Sequence, residues 1–473
     1  MADPTTGAGT AAAAPGTMSD APGSTPAAQR IEELASHVTE VADGLCRYLD
    51  ASPSPFHAVD SAARLLTAQG FTEVAETHPT PTAPGSYVVR RGGSLIAWST
   101  AHLDEGAAAH TPYRVVGAHT DSPNLRVKPH PDWARAGWQM LGVEIYGGAL
   151  TNSWLDRDLG LSGRVAVRDA SAPGGVGQRL WRCDDPILRV SQLAIHLDRT
   201  VRSEGLQLND QQHLAPHWGL GAGVDRTFRD WLAEQVQVAP HDLLAFDAMT
   251  HDLTPARRIG RDGELLASAR LDNLATSYAG VLALLHAVAE PAQQPWVPVI
   301  ALFDHEEVGS TSERGAQSTF LPAWLERIVL AAGGTREDYW RALAGTVIAS
   351  GDMAHATHPN YAERHEPQHQ IRMNGGPVLK VNNNLRYATD SLGAATFQMA
   401  CEQAGVPMQT FVTRTDLPCG STVGPMTSAL TGATTVDFGA PVLSMHSTRE
   451  ICGTLDQAGY AAALAAFLAP ATT

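Results

Sequence analysis

PWVPVIALFDHEE, residues 295–307, opens as an apolar run and closes on Asp304, His305, Glu306 and Glu307. The run is rich in Val and Ile and too short for a core helix, which predicts a buried strand. Carboxylates just beyond its end predict a ligand site, because open α/β sheets bind ligands beyond the carboxyl ends of their strands. Adjacent carboxylates repel, and an enclosed site can hold both ionised only with a cation.

Outward from this stretch, strand and helix alternate. LLASARLD (265–272) leads into the helical ATSYAGVLALLHAVAE (275–290), and a helix is expected over 320–331. TVIASGDMAHA (346–356), PVLKVN (377–382), MQTFVTRTD (408–416) and ATTVDFGAPVLSMHS (433–447) read as strands with their exits, with a helix over 390–405 between the second and third. REICGTLDQAGYAAALAAFLA (449–469) is expected as the C-terminal helix, Ile31 to Leu49 as an amphipathic helix, and SYVVRRGGSLIAWS (86–99) and YRVVGAHTDS (113–122) as strands. Such alternation predicts an α/β sandwich with a largely parallel or mixed sheet. Residues 125–250 differ: they are rich in Gly, Pro and Trp with short strand-like runs, and read as a unit inserted between a first part (29–124) and a second part (251–473).

At 473 residues the chain is long enough for two or three cores, and 44% hydrophobic with 17% charged residues is the profile of a globular protein. A formal charge of −16 argues against nucleic acid and anionic membrane as partners. Five scattered cysteines without CxxC spacing give neither a disulfide framework nor a thiolate metal site, which favours a reducing, cytoplasmic setting. Residues 1–28, dominated by Ala, Pro, Gly, Ser and Thr, are expected to be a disordered tail rather than a secretion signal, with Met18 an alternative start.

The strand exits carry His119, Asp272, Glu306 with Glu307, Asp352 and His446. Two imidazoles and three carboxylates suit a pair of zinc-like dications bridged by one carboxylate, the site of a two-metal hydrolase. Asp121, two residues after His119, is placed to accept a hydrogen bond from the imidazole nitrogen not used for metal. On an extended segment Glu306 and Glu307 would point to opposite sides, so that one ligates while the other serves as general base.

GAHTDSPNLRVKP, VEIYGG, WLDRDL, LAIHLDR, ARLDN, DHEEVGS, GAQS, DMAHATHPNY, GPVLKVN, RYATD, PCGSTVGP and MHSTRE, in this order, resemble the M18 metallopeptidases, and aspartyl aminopeptidases most closely. The resemblance implies a zinc-exopeptidase-like αβα sandwich with a mixed sheet, interrupted by a mainly β dimerisation domain, and a tetrahedral dodecamer. It implies two divalent ions, zinc with manganese or cobalt also compatible, bridged by Asp272. His119 and Asp352 complete one set, Glu307 and His446 the other, and Glu306 is the base. It further implies removal of N-terminal Asp or Glu from peptides, with Lys380 pairing with the substrate carboxylate, His355 and Tyr387 near the same pocket, and His196 reaching a neighbouring subunit's site. A related aminopeptidase preferring neutral residues such as Leu would share these ligands. A non-catalytic, metal-stabilised assembly would share them too, but has no use for a non-ligating Glu306. PCGSTVGP (418–425) could present backbone donors to an anion or simply turn the chain.

Overall fold

The computed structural model describes residues 32–221, 223, 226–289 and 295–471. The tail expected over 1–28 lies outside them. Nine strands form a mixed central sheet in the order Thr72–Glu73, Ser86–Arg91, Ser94–Ser99, Val297–Phe303, Tyr113–His119, Val347–Gly351, Thr434–Gly439, Val378–Val381 and Gln409–Val412. The four strands from Val297–Phe303 to Thr434–Gly439 are mutually parallel. Ser94–Ser99 on one side and Val378–Val381 on the other pair with them antiparallel.

The period-2 alternation of strand side chains divides the apolar residues between two cores. Val297, Val299, Ala301 and Phe303 pack on one face, where helix Phe320–Ala331 contributes Phe320, Trp324 and Leu325. Ile300 and Leu302 pack on the other, with residues of helices Val38–Ala51, Pro55–Ala68, Leu271–Val288, Ser391–Gln403 and Thr454–Leu468. Helices cover both faces, giving an αβα sandwich. Apart from the exposed Leu455, Thr454–Leu468 is buried against Leu271–Val288, Val38–Ala51 and Ser391–Gln403, and its run of alanines permits that close approach from several sides.

A second sheet, six-stranded and antiparallel, draws every strand from residues 124–252, in the order Val176–Leu188, Leu159–Arg168, Leu243–Asp252, Asn124–Arg135, Trp138–Tyr146 and His217–Leu220. It has its own core of Leu125, Leu141, Leu159, Val165 and Leu243, closed by Phe228 and Leu232 of helix Phe228–Gln235. A third sheet orders Arg257–Ile259, Leu265–Ser268, Glu450–Gly453, Pro441–Leu443 and Ala354–His355.

Two expected elements differ in extent. The N-terminal helix is regular over Val38–Ala51, with a short helical stretch before His37. Residues 450–453, expected as helix, pair with Leu265–Ser268 as a strand, and the helix starts at Thr454. The extended form turns the Glu450 side chain inward, where it is 1% exposed and accepts backbone hydrogen bonds from two neighbouring segments. Among the described residues, no helix is long and apolar enough to cross a membrane.

Gly351 closes the strand that delivers Asp352. A Cβ there would overlap Thr276 Cγ2 and lie 2.9 Å from the Tyr460 hydroxyl, whereas one on Gly117, in the adjacent strand, would meet nothing nearer than 3.9 Å. Gly351→Ala should therefore destabilise the protein by about 1–3 kcal/mol. Gly117→Ala should be near neutral in the same chemical denaturation series, and equal midpoints for the two would refute the packing account.

Candidate metal centre

His119 ends its strand, Glu306 and Glu307 follow Val297–Phe303, and Asp352 follows Val347–Gly351. These three strands are adjacent and parallel, so their carboxyl ends lie side by side. Asp272 and His446 arrive from the third sheet, beyond Leu265–Ser268 and Pro441–Leu443. Two sheets therefore converge on the site.

The expected ligand atoms meet in two sets that share Asp272. Asp272 Oδ1 is 3.4 Å from His119 Nε2, which is 3.6 Å from Asp352 Oδ1. Asp272 Oδ2 is 3.3 Å from His446 Nε2, which is 3.3 Å from Glu307 Oε1. Ligands held about 2.0–2.1 Å from one tetrahedral ion stand about 3.4 Å apart, so both sets have the spacing of a cation site. His119, Glu306 and Glu307 form a third grouping of the same kind. Asp272 Oδ1 and Glu307 Oε1 are buried without a hydrogen-bond donor, as expected of atoms reserved for a metal.

Electrostatics make the same demand. Burial, with Asp352 and Glu307 close by, pushes Glu306 well above the usual carboxylate range. Burial pushes Glu307 up to about 7 against the pull of His446. Burial opposes charge on both imidazoles, yet the surrounding carboxylates outweigh it, raising His119 well above its ordinary value and His446 to about 12. Divalent cations would meet the same need for positive charge.

A ring of buried polar groups holds the sets in place. Glu306 and Glu307 begin a 3₁₀ turn, with His305 before it at φ 65°, and are not on the extended segment expected from sequence. The turn forms because both backbone N–H groups donate to the Asp121 carboxylate, at 3.1 Å and 3.1 Å. That carboxylate also accepts from the Tyr146 hydroxyl at 2.6 Å. Burial first, and then the Asp121 charge, push the Tyr146 phenol up, so it remains a donor. His119 Nδ1 is 3.0 Å from the backbone carbonyl of Asp121 and 3.5 Å from its carboxylate, so the bond expected to reach the side chain reaches the main chain instead. His446 Nδ1 donates to the Gly148 carbonyl at 3.0 Å, leaving Nε2 for a metal. Glu450 accepts the N–H groups of Asp272 (3.0 Å) and His446 (2.7 Å). Asp304, the first acid of the quoted stretch, is structural: it is buried and pairs with Arg314 at 2.9 Å.

Lys380, His355, Tyr387, Phe411, Ser421 and Thr422 line a cavity of about 420 Å³ that opens onto both sets. Lys380 is 3% exposed, with Nζ 3.4 Å from Asp352 Oδ2 and 5.4 Å from the Tyr387 ring, so it does not snorkel to the surface. His355 faces the open cavity, and burial within its walls together with Lys380 lowers its pKa. His196 lies elsewhere, exposed on a segment that also exposes Leu193, Ile195 and Leu197. In the Gly-rich stretch, Thr422 caps helix Val423–Thr431 and donates to the buried Asp437. Sequence reading passed over Tyr146 and Glu450 as site residues, although both sit in quoted motifs. An aromatic before Gly-Gly and an acid four residues after His446 were the available signals.

A family model described as aminopeptidase I zinc metalloprotease (M18) matches residues 48–468. The probable M18 family aminopeptidase 2 of Streptomyces coelicolor is 53% identical over 429 residues, spanning 90% of this chain and 97% of that protein. The protein of the same name from Mycobacterium tuberculosis is 54% identical over 431 residues, spanning 90% and 98%. Among solved structures, a chain in the cryo-EM structure of the Ape4 and Nbr1 complex is 36% identical with a TM-score of 0.86, covering 92% of this chain and 86% of that one. Chaetomium thermophilum mApe1 is 28% identical with a TM-score of 0.79, covering 93% and 98%.

Chelator treatment should lower the thermal midpoint, and zinc, manganese or cobalt should restore it. A ligand at 100 to 1,000 times its Kd stabilises by about 3–4 kcal/mol. A midpoint indifferent to chelator and metal would refute a cation at these groups.

Proposed function

The chain belongs to the M18 family of metallo-aminopeptidases, and on that premise we propose that it removes N-terminal Asp or Glu from peptides using two divalent ions and Glu306 as general base. One observation carries the two-ion reading: Asp272 turns one oxygen to His119 Nε2 at 3.4 Å and the other to His446 Nε2 at 3.3 Å, and those two imidazole nitrogens stand 3.6 Å from Asp352 and 3.3 Å from Glu307, respectively. Bound divalent ions would supply Lewis-acid polarisation of the scissile carbonyl and lower the pKa of an attacking water.

The remaining steps fall to the chain's own groups. Glu306 belongs to neither Asp272-centred set, yet its Oε2 is 4.0 Å from His119 Nε2, at the rim of the cavity. Its carboxylate takes the proton of the attacking water and returns it to the leaving amine. Lys380 is the buried cation of the cavity and offers the substrate's side-chain carboxylate a charge-assisted hydrogen bond, with His355 and Tyr387 beside it. A pocket that holds a buried ammonium supports an acidic residue over Leu, which offers that ammonium no acceptor beyond Asp352.

Association between copies completes the reading. The six-stranded unit exposes Trp138, Leu193, Ile195, Leu197 and Leu220, a surface suited to burial against another chain. The mApe1 of S. cerevisiae is described as a dodecamer. A dodecamer of this chain would let His196 approach a neighbour's site, and a reducing, cytoplasmic setting suits its five free cysteines.

Glu306→Gln should keep its metal content and assembly while kcat falls about 10²–10⁴-fold. Unchanged turnover would remove Glu306 from the mechanism. Lys380→Ala should reduce kcat/KM for Asp-initiated peptides about 10- to 100-fold more than for matched Leu-initiated peptides, the worth of one charge-assisted hydrogen bond. Equal losses would refute its role in specificity.

A further inference from the structure

Tyr146, Gly147 and Gly148 leave the end of strand Trp138–Tyr146 and cross from the six-stranded unit to the metal centre. The Tyr146 hydroxyl donates to Asp121 Oδ2 at 2.6 Å, and Asp121 accepts the N–H groups of Glu306 and Glu307. Gly147, at φ 70°, is so close that a Cβ on it would stand 3.0 Å from Glu307 Cβ. The Gly148 carbonyl accepts from His446 Nδ1 at 3.0 Å, and two residues on the Leu150 N–H donates to the His446 carbonyl at 3.1 Å. Three consecutive residues thus reach both Glu307 and His446 and, through Asp121, the turn that carries Glu306.

The tyrosine is held as though its placement mattered. The Arg126 guanidinium lies 3.4 Å from the Tyr146 ring centroid, while its Nε and Nη2 are buried without hydrogen-bond partners. Stacking on the ring is what that buried cation gains in return. Phe would keep the ring and the stacking and lose only the donor to Asp121, a carboxylate that is 0% exposed.

We propose that Tyr146 is a positioning residue: its hydroxyl, presented by the six-stranded unit, fixes the Asp121 carboxylate and through it the turn that carries Glu306 and Glu307. The unit outside the catalytic sandwich thereby sets the geometry of a centre to which it contributes no ligand. This inference rests on the two-ion reading above.

The test uses the full-length protein loaded with zinc or cobalt, comparing wild type with Tyr146→Phe and Gly147→Ala. Tyr146→Phe should lower the thermal midpoint of the metal-free protein only by the loss of one hydrogen bond to a buried carboxylate. It should speed metal release to a chelator and lower kcat, each by about 10- to 100-fold, with KM held. Its cobalt absorption spectrum should change shape, because the ligand geometry has changed. Gly147→Ala, which keeps the hydroxyl, should alter the cobalt spectrum through Glu307, and it carries the test if Tyr146→Phe does not fold. Wild-type release rate, kcat and cobalt spectrum in a folded Tyr146→Phe would overturn this inference alone, as would the same result in Gly147→Ala where Tyr146→Phe does not fold. A wild-type chain that takes up no metal would overturn the two-ion reading and this inference with it.

Discussion

The shared carboxylate of Asp272 is the interaction on which the rest depends. It is 3% exposed, with Asp352 and Glu307 beside it and Glu306 next to Glu307. Two like charges about 4 Å apart repel by about 4 kcal/mol even at an effective dielectric constant of 20. Such a cluster folds only with protons or cations to balance it, and cations keep the carboxylates available for chemistry. The backbone near it is strained accordingly. Arg270, His305, Ser310, Ser444 and His446 all adopt left-handed φ, between 58° and 69°, within a few residues of the ligand side chains. Non-glycine residues hold that conformation where surrounding structure over-determines it.

What over-determines it here is a pair of buried acceptors with matching jobs. Asp121 collects the N–H groups of Glu306 and Glu307, and Glu450 those of Asp272 and His446. Burial and then the charge of Asp272 push Glu450 up to about 8, while His119, Tyr146 and the Glu307 N–H hold Asp121 below the usual range despite its burial. Asp121 anchors the turn that bears Glu306 and Glu307, and Glu450 ties the Asp272 and His446 segments together, neither acceptor being itself an expected ligand. The positions of the ligand side chains are thus set by main-chain hydrogen bonds, which deform less than long side chains reaching freely into a cavity.

The αβα class was legible because its signals are local: the continuous apolar run from Val297 to Phe303 and the apolar length of Leu271–Val288 each announce themselves within one window. Five strand ends bearing His, Asp or Glu were legible for the same reason. That two of those ends belong to a different sheet was not, since strand pairing across residues 265 and 453 is a non-local choice. The 3₁₀ turn at Glu306 was illegible because its cause is Asp121, 185 residues away in sequence. Glu450 looked helical by composition, and its real role appears only once Asp272 and His446 are brought to it.

On the proposed reading, Lys380 would tie selectivity to metal retention. Its ammonium is 3.4 Å from Asp352 Oδ2, while Asp352 Oδ1 faces His119. A substrate carboxylate entering the cavity would therefore meet a lysine already engaged by an expected ligand, and must share it. Sharing weakens the pull of Lys380 on Asp352 and leaves that carboxylate a stronger donor to a cation just as the substrate settles. With a formal charge of −16, the protein as a whole does not draw anions inward. Attraction for an acidic residue would, on that reading, have to be generated locally, by Lys380 and the bound cations within one cavity whose low-dielectric walls strengthen every charge they enclose. On the proposed reading, the cations that answer the repulsion around Asp272 also make the pocket habitable for an acidic substrate, so metal binding and specificity rise and fall together.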